Sequence, residues 1–348
     1  MLATIGVKSI RELVDAGVMP LDSVAPAVSE PELEGLLRER ARLDGTYKNF
    51  IAAGVGERHI PAAVWQLALS GSHELTPVFG FTDQAQGALR LQYELQTMLS
   101  HLCGLDLIST AYSDGARALA QAITIACAVR TRPWRAVLPT SVNPAYRRVV
   151  RSLLALHDIE LVEVPFCSNR GDTPVARIGD SVTDATVLVI AQPNYFGIWE
   201  DTDTLTDYAR EHDWLVIALV DPFALALVKP PGAWGRHGAD LAVGSGQPLG
   251  LPAASGGPYF GFMCAKRSWL GHLGAAMAEQ LITEAGRVVY RRAQGACSAV
   301  GIAARFARPH WRSPDTYVYS VPTVCGRSRR ACTGTPRPWW PRLPTSTV

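Results

Sequence analysis

Residues 239–257 read ADLAVGSGQPLGLPAASGG. ADLAV has the apolar character of a strand buried on both faces. It runs directly into a glycine-rich loop. In an α/β protein, ligands sit at such strand-to-loop junctions, outside the carboxyl ends of the strands. The GSGQPLG that follows carries a G-x-G-x-x-x-G spacing. A dinucleotide fingerprint needs a helix opening at once to face a pyrophosphate. Pro248 and Pro252 forbid an early α-helix here. The loop also holds no lysine, so it reads as a ligand position emptied of its usual chemistry.

Outward from this stretch the chain alternates. AVLPT (136–140), IELVEVP (159–165), ATVLVIAQP (185–193) and WLVIALV (214–220) read as buried strands. AYRRVVRSLLAL (145–156) and DTLTDYAREH (203–212) read as helices between them. Strand and helix alternation predicts a parallel or mostly parallel sheet with helices on both faces. That topology lines up Gln192–Gly197, Asp221–Ala224 and Gly244–Gly250 along one rim. Upstream, residues 86–104 place Leu91, Leu95, Met98, Leu99 and Leu102 on one helical face, with Gly104 just beyond the end. An alanine-rich helix follows Ser113-Asp114-Gly115. SEPELEGLLRERARL predicts a helix with Ser29 and Glu32 as a capping box.

Composition sets the class. The chain has 348 residues, 48% hydrophobic and 18% charged, which fits a soluble globular protein with a large core. No apolar run reaches the roughly 18 residues that a bilayer span needs, and no secretory leader pattern is visible. Seven cysteines without a C-x-x-C pair or metal spacing predict a reduced, cytoplasmic protein with no metal site. The net charge of +2 hides a break. Residues 287–348 hold 11 Arg, no Lys and one acid, Asp315, while the first 286 residues carry 22 basic and 30 acidic side chains. No period of 3.6 or 2 runs far in that stretch, so no element is assigned to it. Its arginines and Trp311, Trp339 and Trp340 could meet nucleic acid by charge and stacking. No binding fold accompanies them, so neither a nucleic acid nor a membrane is expected as partner.

Asp221 closes a buried strand, where a carboxylate must be paired or hydrogen-bonded. It could face a protonated ring nitrogen, as in pyridoxal phosphate enzymes, or cap the segment after Pro222. Such an enzyme needs a Schiff-base lysine. The four lysines are Lys8, Lys48, Lys229 and Lys266. The first two lie upstream of the sheet. Lys229 follows Asp221 too closely, and Lys266 ends FGFMCAK and is expected in solvent. None fits, so no catalytic residue is assigned to this chain. Ser113-Asp114-Gly115 could hold a phosphate or simply cap its helix.

VDPFALALVKPPGAWGRHGADLAVGSGQPLGLPAASGGPYFGF (220–262) closely resembles subunit 1 of the glycine cleavage system P protein family, the glycine dehydrogenase (aminomethyl-transferring). FIAAGVGERHIPAAV, QGALRLQYELQTMLSHLCGLD, VLPTSVNPAYRRVVRSLL and AQPNYFGIWED agree in the same order, covering residues 1 to about 275. The resemblance implies a pyridoxal phosphate-dependent transferase-like fold of the aspartate aminotransferase type. Its C-terminal domain would be truncated or replaced. It implies pyridoxal phosphate held by a partner, subunit 2, in a heterotetramer, with Gln247-Pro248 standing where the sister chain has His-Lys. The implied reaction is glycine decarboxylation with aminomethyl transfer to the lipoyl arm of the H protein. Rim residues Asn194, Asp221, Gln247 and Ser255, with Phe79 and Phe81, are the candidates for a degenerate site or subunit interface.

Three departures accompany the resemblance. The family's tyrosine-bearing segment reads TPVFGFTD here, so Phe79 and Phe81 keep bulk without a hydroxyl. Arg117 stands where the family has Thr or Ser. The likeness fades between about 270 and 290, where the composition breaks, which a frameshift would explain. Domains are therefore expected as an N-terminal helical segment and arm (1–85), an α/β large domain (86–275) and a divergent Arg/Pro-rich tail (276–348). An inactive remnant and an interaction module using the basic tail are the alternatives.

Overall fold

In a computed structural model the described residues are 2–6, 8, 27–45, 55–69, 86–131, 134–253, 256–257, 259–273 and 277–292. The chain divides into two compact units, Met1–Ile51 and Ala52–Val348. The first contains α1 (Leu2–Ile5) and α2 (Glu30–Leu43). Ser29 sits at the α2 N-cap but its side chain makes no cap bond, so the capping box read from Ser29 and Glu32 does not form. Pro31 and the acids Glu30 and Glu32 in the first turn favour the helix start instead.

The second unit is built on a seven-stranded sheet. Its strands are β1 (Leu107–Tyr112), β2 (Arg135–Pro139), β3 (Glu160–Val164), β4 (Val187–Gln192), β5 (Leu215–Val220), β6 (Leu241–Ser245) and β7 (Gly261–Ala265). The order is β1-β7-β6-β5-β4-β2-β3. Strands β3, β2, β4, β5 and β6 are parallel, and β7 runs antiparallel to both β6 and β1. β1 is thus parallel to β6. All the parallel strands end at one rim. The strand read as ADLAV begins two residues later and keeps Gly244 within it.

After α3 (Ala62–Leu69), helices cover both faces: α4 (Gln86–Cys103), α5 (Gly115–Ala128), α6 (Pro144–Leu154), α7 (Val175–Ser181) and α8 (Thr202–Glu211). Successive strand residues alternate between two cores. Leu188, Ile190, Val216 and Ala218 pack with Leu95 and Leu99 of α4, Ile178 of α7 and Leu205 of α8. Val187, Val189, Leu215 and Ile217 pack with Leu119 and Ile123 of α5 and Val150 and Leu154 of α6. The apolar face expected on α4 is present: Leu95 and Leu99 are buried in the core, with Leu91, Met98 and Leu102 packed against it. α5 is buried along most of its length, as its alanine-rich composition requires of a helix lying flat on strands.

A hairpin of β8 (Ala278–Ile282) and β9 (Val288–Arg292) follows, antiparallel. No periodicity points to β9 in the sequence. Its anchor is polar: Gln86 of α4 donates to Tyr290 O and accepts from Tyr290 N at 2.7 and 2.8 Å, as a neighbouring strand would. Gln96 accepts from Ala278 N in the same way. Among the described residues no helix is long and apolar enough to cross a membrane.

Candidate functional site

The rim is assembled by the register of adjacent strands. Gln192 pairs with Val220, and Val220 with Gly244. The residues just beyond these ends, Asn194, Asp221 and Gln247, are therefore brought to one edge of the sheet, as the alternating pattern implied. Ser255, Phe79 and Phe81 lie outside the described residues.

Asp221 is held by its own chain. Oδ1 accepts from Phe223 N at 2.8 Å, which turns the chain at Pro222. Oδ2 meets Arg58 Nη2 at 3.2 Å. The Arg58 guanidinium also lies 4.8 Å over the Phe223 ring. Of the two readings of Asp221, the structure has the cap, here of a turn, and its other oxygen meets a side-chain cation 163 residues away in sequence.

Gln247 is buried in a single 3₁₀ turn, Gln247–Leu249, in place of a helix. Its Nε2 donates to Leu251 O at 2.9 Å and to Gly56 O at 3.3 Å. The segment around residues 56–58 thus touches the ends of both β5 and β6. Glycine is needed at 246, because a Cβ there would collide with the Phe260 ring.

At the end of β1, Asp114 caps α5 by accepting from Arg117 N at 2.8 Å, and Ser113 Oγ donates to Asp114 Oδ2. Of the two readings of Ser113-Asp114-Gly115, the structure has capping. Gly115 starts the helix hard against β6: a Cβ would lie 2.6 Å from Tyr146 Oη and 2.9 Å from Ser245 N. Burial pushes the Tyr146 phenol up to about 12, the Asp114 carboxylate beside it adding to the effect.

Asn194 is buried and committed to the loop it begins. Oδ1 accepts from Phe196 N and Ile198 N, and Nδ2 donates to Gly171 O and Glu200 Oε1. Glu200 accepts further from Ser141 Oγ and Thr173 N. This network leaves Tyr195, Phe196 and Trp199 exposed beside the rim.

Neither Lys229 nor Lys266, the two described lysines of this unit, reaches this edge. Lys229 binds Asp203. Lys266, expected in solvent, is half-buried: it donates to His237 O and lies 3.5 Å from Asp240, which also binds Arg210. The reason is that Asp240 precedes β6 beside the end of β7, where Lys266 emerges. Lys8 belongs to the N-terminal unit, and Lys48 lies outside the described residues.

A family model, "Glycine cleavage system P-protein", matches residues 1–291. The chain belongs to this P-protein family. The match extends beyond residue 275, up to which the quoted stretches agree, and takes in β8 and most of β9. The chain is 47% identical over 274 residues to a probable glycine dehydrogenase (decarboxylating) subunit 1 of Nitrosospira multiformis, covering 77% of this chain and 60% of that one. It is 43% identical to the corresponding protein of Thioalkalivibrio sulfidiphilus, over 82% of this chain and 65% of that one. It therefore spans about 60–65% of the length of these curated relatives. The crystal structure of glycine decarboxylase (P-protein) in inhibitor-bound form superposes with a TM-score of 0.71 at 27% identity, over 95% of this chain and 76% of that one. C-DES, solved with glycine covalently linked to its pyridoxal phosphate cofactor, shares the fold at a TM-score of 0.52 and 13% identity, over 87% of this chain and 74% of that one.

C-DES holds pyridoxal phosphate on this fold, but the residues at the rim of this P-protein chain do not fit that group. A Schiff base needs a lysine at the strand ends, and neither Lys229 nor Lys266, the described lysines of this unit, is there. The carboxylate suited to a ring nitrogen is bound to Arg58. The helix start suited to a phosphate carries the Asp114 carboxylate. Arg58, Gly56, Glu200 and Tyr146 escaped the sequence reading. GVGERHIP signalled only family resemblance, and nothing in it couples residue 58 to residue 221.

Proposed function

We propose that this chain is the half of a glycine-decarboxylating P protein that does not carry the cofactor. The implied reaction removes carbon dioxide from glycine and passes the aminomethyl group to the lipoyl arm of the H protein. Pyridoxal phosphate belongs to the partner, subunit 2, and supplies the electron sink there. This chain contributes shape and contact surface, in a heterotetramer and in the cytoplasm. The observation that carries the reading is Gln247. It stands at the strand end where a cofactor lysine would be needed, and its amide is bonded to Gly56 and Leu251.

Support for an interface role comes from the rim. Tyr195, Phe196 and Trp199 are exposed on a loop that a buried network holds in place. Aromatic side chains of this kind are enriched at subunit contacts. Asn194 acts by positioning that loop, while Asp221 and Gln247 close the rim from within. Ser255, Phe79 and Phe81 stay in the proposal as further interface positions.

The test mixes this chain with a matching subunit 2, pyridoxal phosphate and lipoylated H protein, and follows glycine-dependent exchange of labelled bicarbonate. Exchange that appears only when this chain is added is the expected result. No exchange, with a full-length subunit 1 active alongside, overturns the proposal.

A further inference from the structure

Both ends of the cradle at the rim carry the wrong sign for a pyridoxal phosphate. A protonated ring nitrogen needs an uncompensated carboxylate. Here the Asp221 oxygens are taken by Phe223 N and by the Arg58 guanidinium. A phosphate needs free N–H groups at a helix start. Here the Asp114 carboxylate takes Arg117 N and occupies that point with its own negative charge, the exposed Arg117 guanidinium lying 3.8 Å away.

We infer that Arg58 is a resident substitute for the cofactor's cation, so that the Val55–Arg58 segment plugs this cradle and makes the chain select against a pyridinium phosphate. A guanidinium and a pyridinium are both planar, delocalised cations that donate N–H to a carboxylate. Arg58 does so permanently, because its charge is never lost in a protein. Its stacking over Phe223 at 4.8 Å holds the plane against the turn. One residue pair earlier, Gly56 O accepts from Gln247, so the same short segment satisfies both neighbouring strand ends. The packing leaves little slack beneath: Gly246 lies against the Phe260 ring and Gly115 against Tyr146. The inference rests on the reading that the cofactor belongs to subunit 2, and explains what keeps it out of this chain.

The experiment titrates pyridoxamine 5′-phosphate into the full chain, read by equilibrium dialysis and by thermal unfolding. This probe has the ring nitrogen and the phosphate but no aldehyde, so surface lysines cannot capture it covalently. The wild-type chain is expected to show no saturable binding and no rise in Tm up to about 1 mM probe. Arg58→Gln, which removes the cation and its contact with Phe223, is expected to bind measurably. Arg58→Gln with Asp114→Ser, which retains a capping side chain, is expected to bind about tenfold more tightly again. Adding Asp221→Asn is expected to abolish the gain. Saturable binding by the wild-type chain overturns the inference by itself, whatever the variants do. So does a folded Arg58→Gln/Asp114→Ser chain that binds no better than wild type. The titration uses this chain alone, so failed bicarbonate exchange would leave its result intact.

Discussion

The side-chain amide of Asn194 donates to Glu200 Oε1 at 2.8 Å, and both residues are buried. This bond closes the loop between β4 and α8 on itself. The Asn194 side chain makes four hydrogen bonds, two of them accepted from backbone N–H groups within the loop. Asn194→Ala would leave those donors and Glu200 short of partners. A cost of about 2–4 kcal/mol is expected, since each stranded buried polar group carries its full desolvation penalty. Urea unfolding measures it, and a loss below about 1 kcal/mol would mean that water replaces the amide.

Glu200 also makes the fold sensitive to pH. Burial pushes its carboxyl above the ordinary 4.5, outweighing the bonds from Thr173 N, Asn194 and Ser141. An acid with a raised folded-state value binds its proton more readily folded than unfolded. Its contribution to stability therefore falls as pH rises from 4.5 through the raised value, and recovers as pH falls. Glu200→Gln should remove that component from a plot of urea midpoint against pH. An identical slope in wild type and variant would show that the carboxyl titrates normally.

Three glycine backbones meet near the starts of β1 and β6, at the end of the strands away from the rim. A Cβ at Gly232 would collide with the Gly104 carbonyl, and one at Gly238 with the Gly232 carbonyl. Gly104 adopts φ +65° just past the end of α4, as a helix-ending glycine does. Gly232→Ala is expected to cost about 1–3 kcal/mol through forced separation of two rigid backbones. The control is Gly271→Ala, where the added methyl meets nothing within 4 Å. Equal melting temperatures for the two variants would refute the packing argument.

At the same end of the strands, Asp240 is buried between Arg210 and Lys266 and accepts from Val216 N. Removing it leaves the half-buried Arg210 guanidinium with Gly238 O and no carboxylate, and strands a backbone donor. Asp240→Ala should cost about 3–5 kcal/mol. Lys266→Met, which removes a half-exposed partner, should cost under about 1 kcal/mol. Chemical denaturation of both variants separates the two. Comparable losses would mean that Lys266, rather than Arg210, carries the pair.

The strands were legible because β2, β4, β5 and β6 are apolar runs covered on both faces, a pattern that no half-exposed strand produces. β1 was missed: LISTAY mixes Ser and Thr into a short edge strand. β9 was missed because its anchor is two hydrogen bonds from the Gln86 side chain, which leave no periodic trace. The rim positions of Asn194, Asp221 and Gln247 followed from topology alone. What each does there did not, because their partners Glu200, Arg58 and Gly56 come from other segments.

By itself the sequence determined the two-faced mostly parallel sheet, the edge where a ligand would sit, and the want of a lysine at Gln247. These follow from local apolar patterning and from residue identity, which need no knowledge of long-range contacts. Only the tertiary structure decided that Asp221 faces an arginine. An ion pair between residues 58 and 221 depends on how the chain segment before α3 crosses the strand ends. A carboxylate specifies that it needs a cation, but chain packing selects which one arrives.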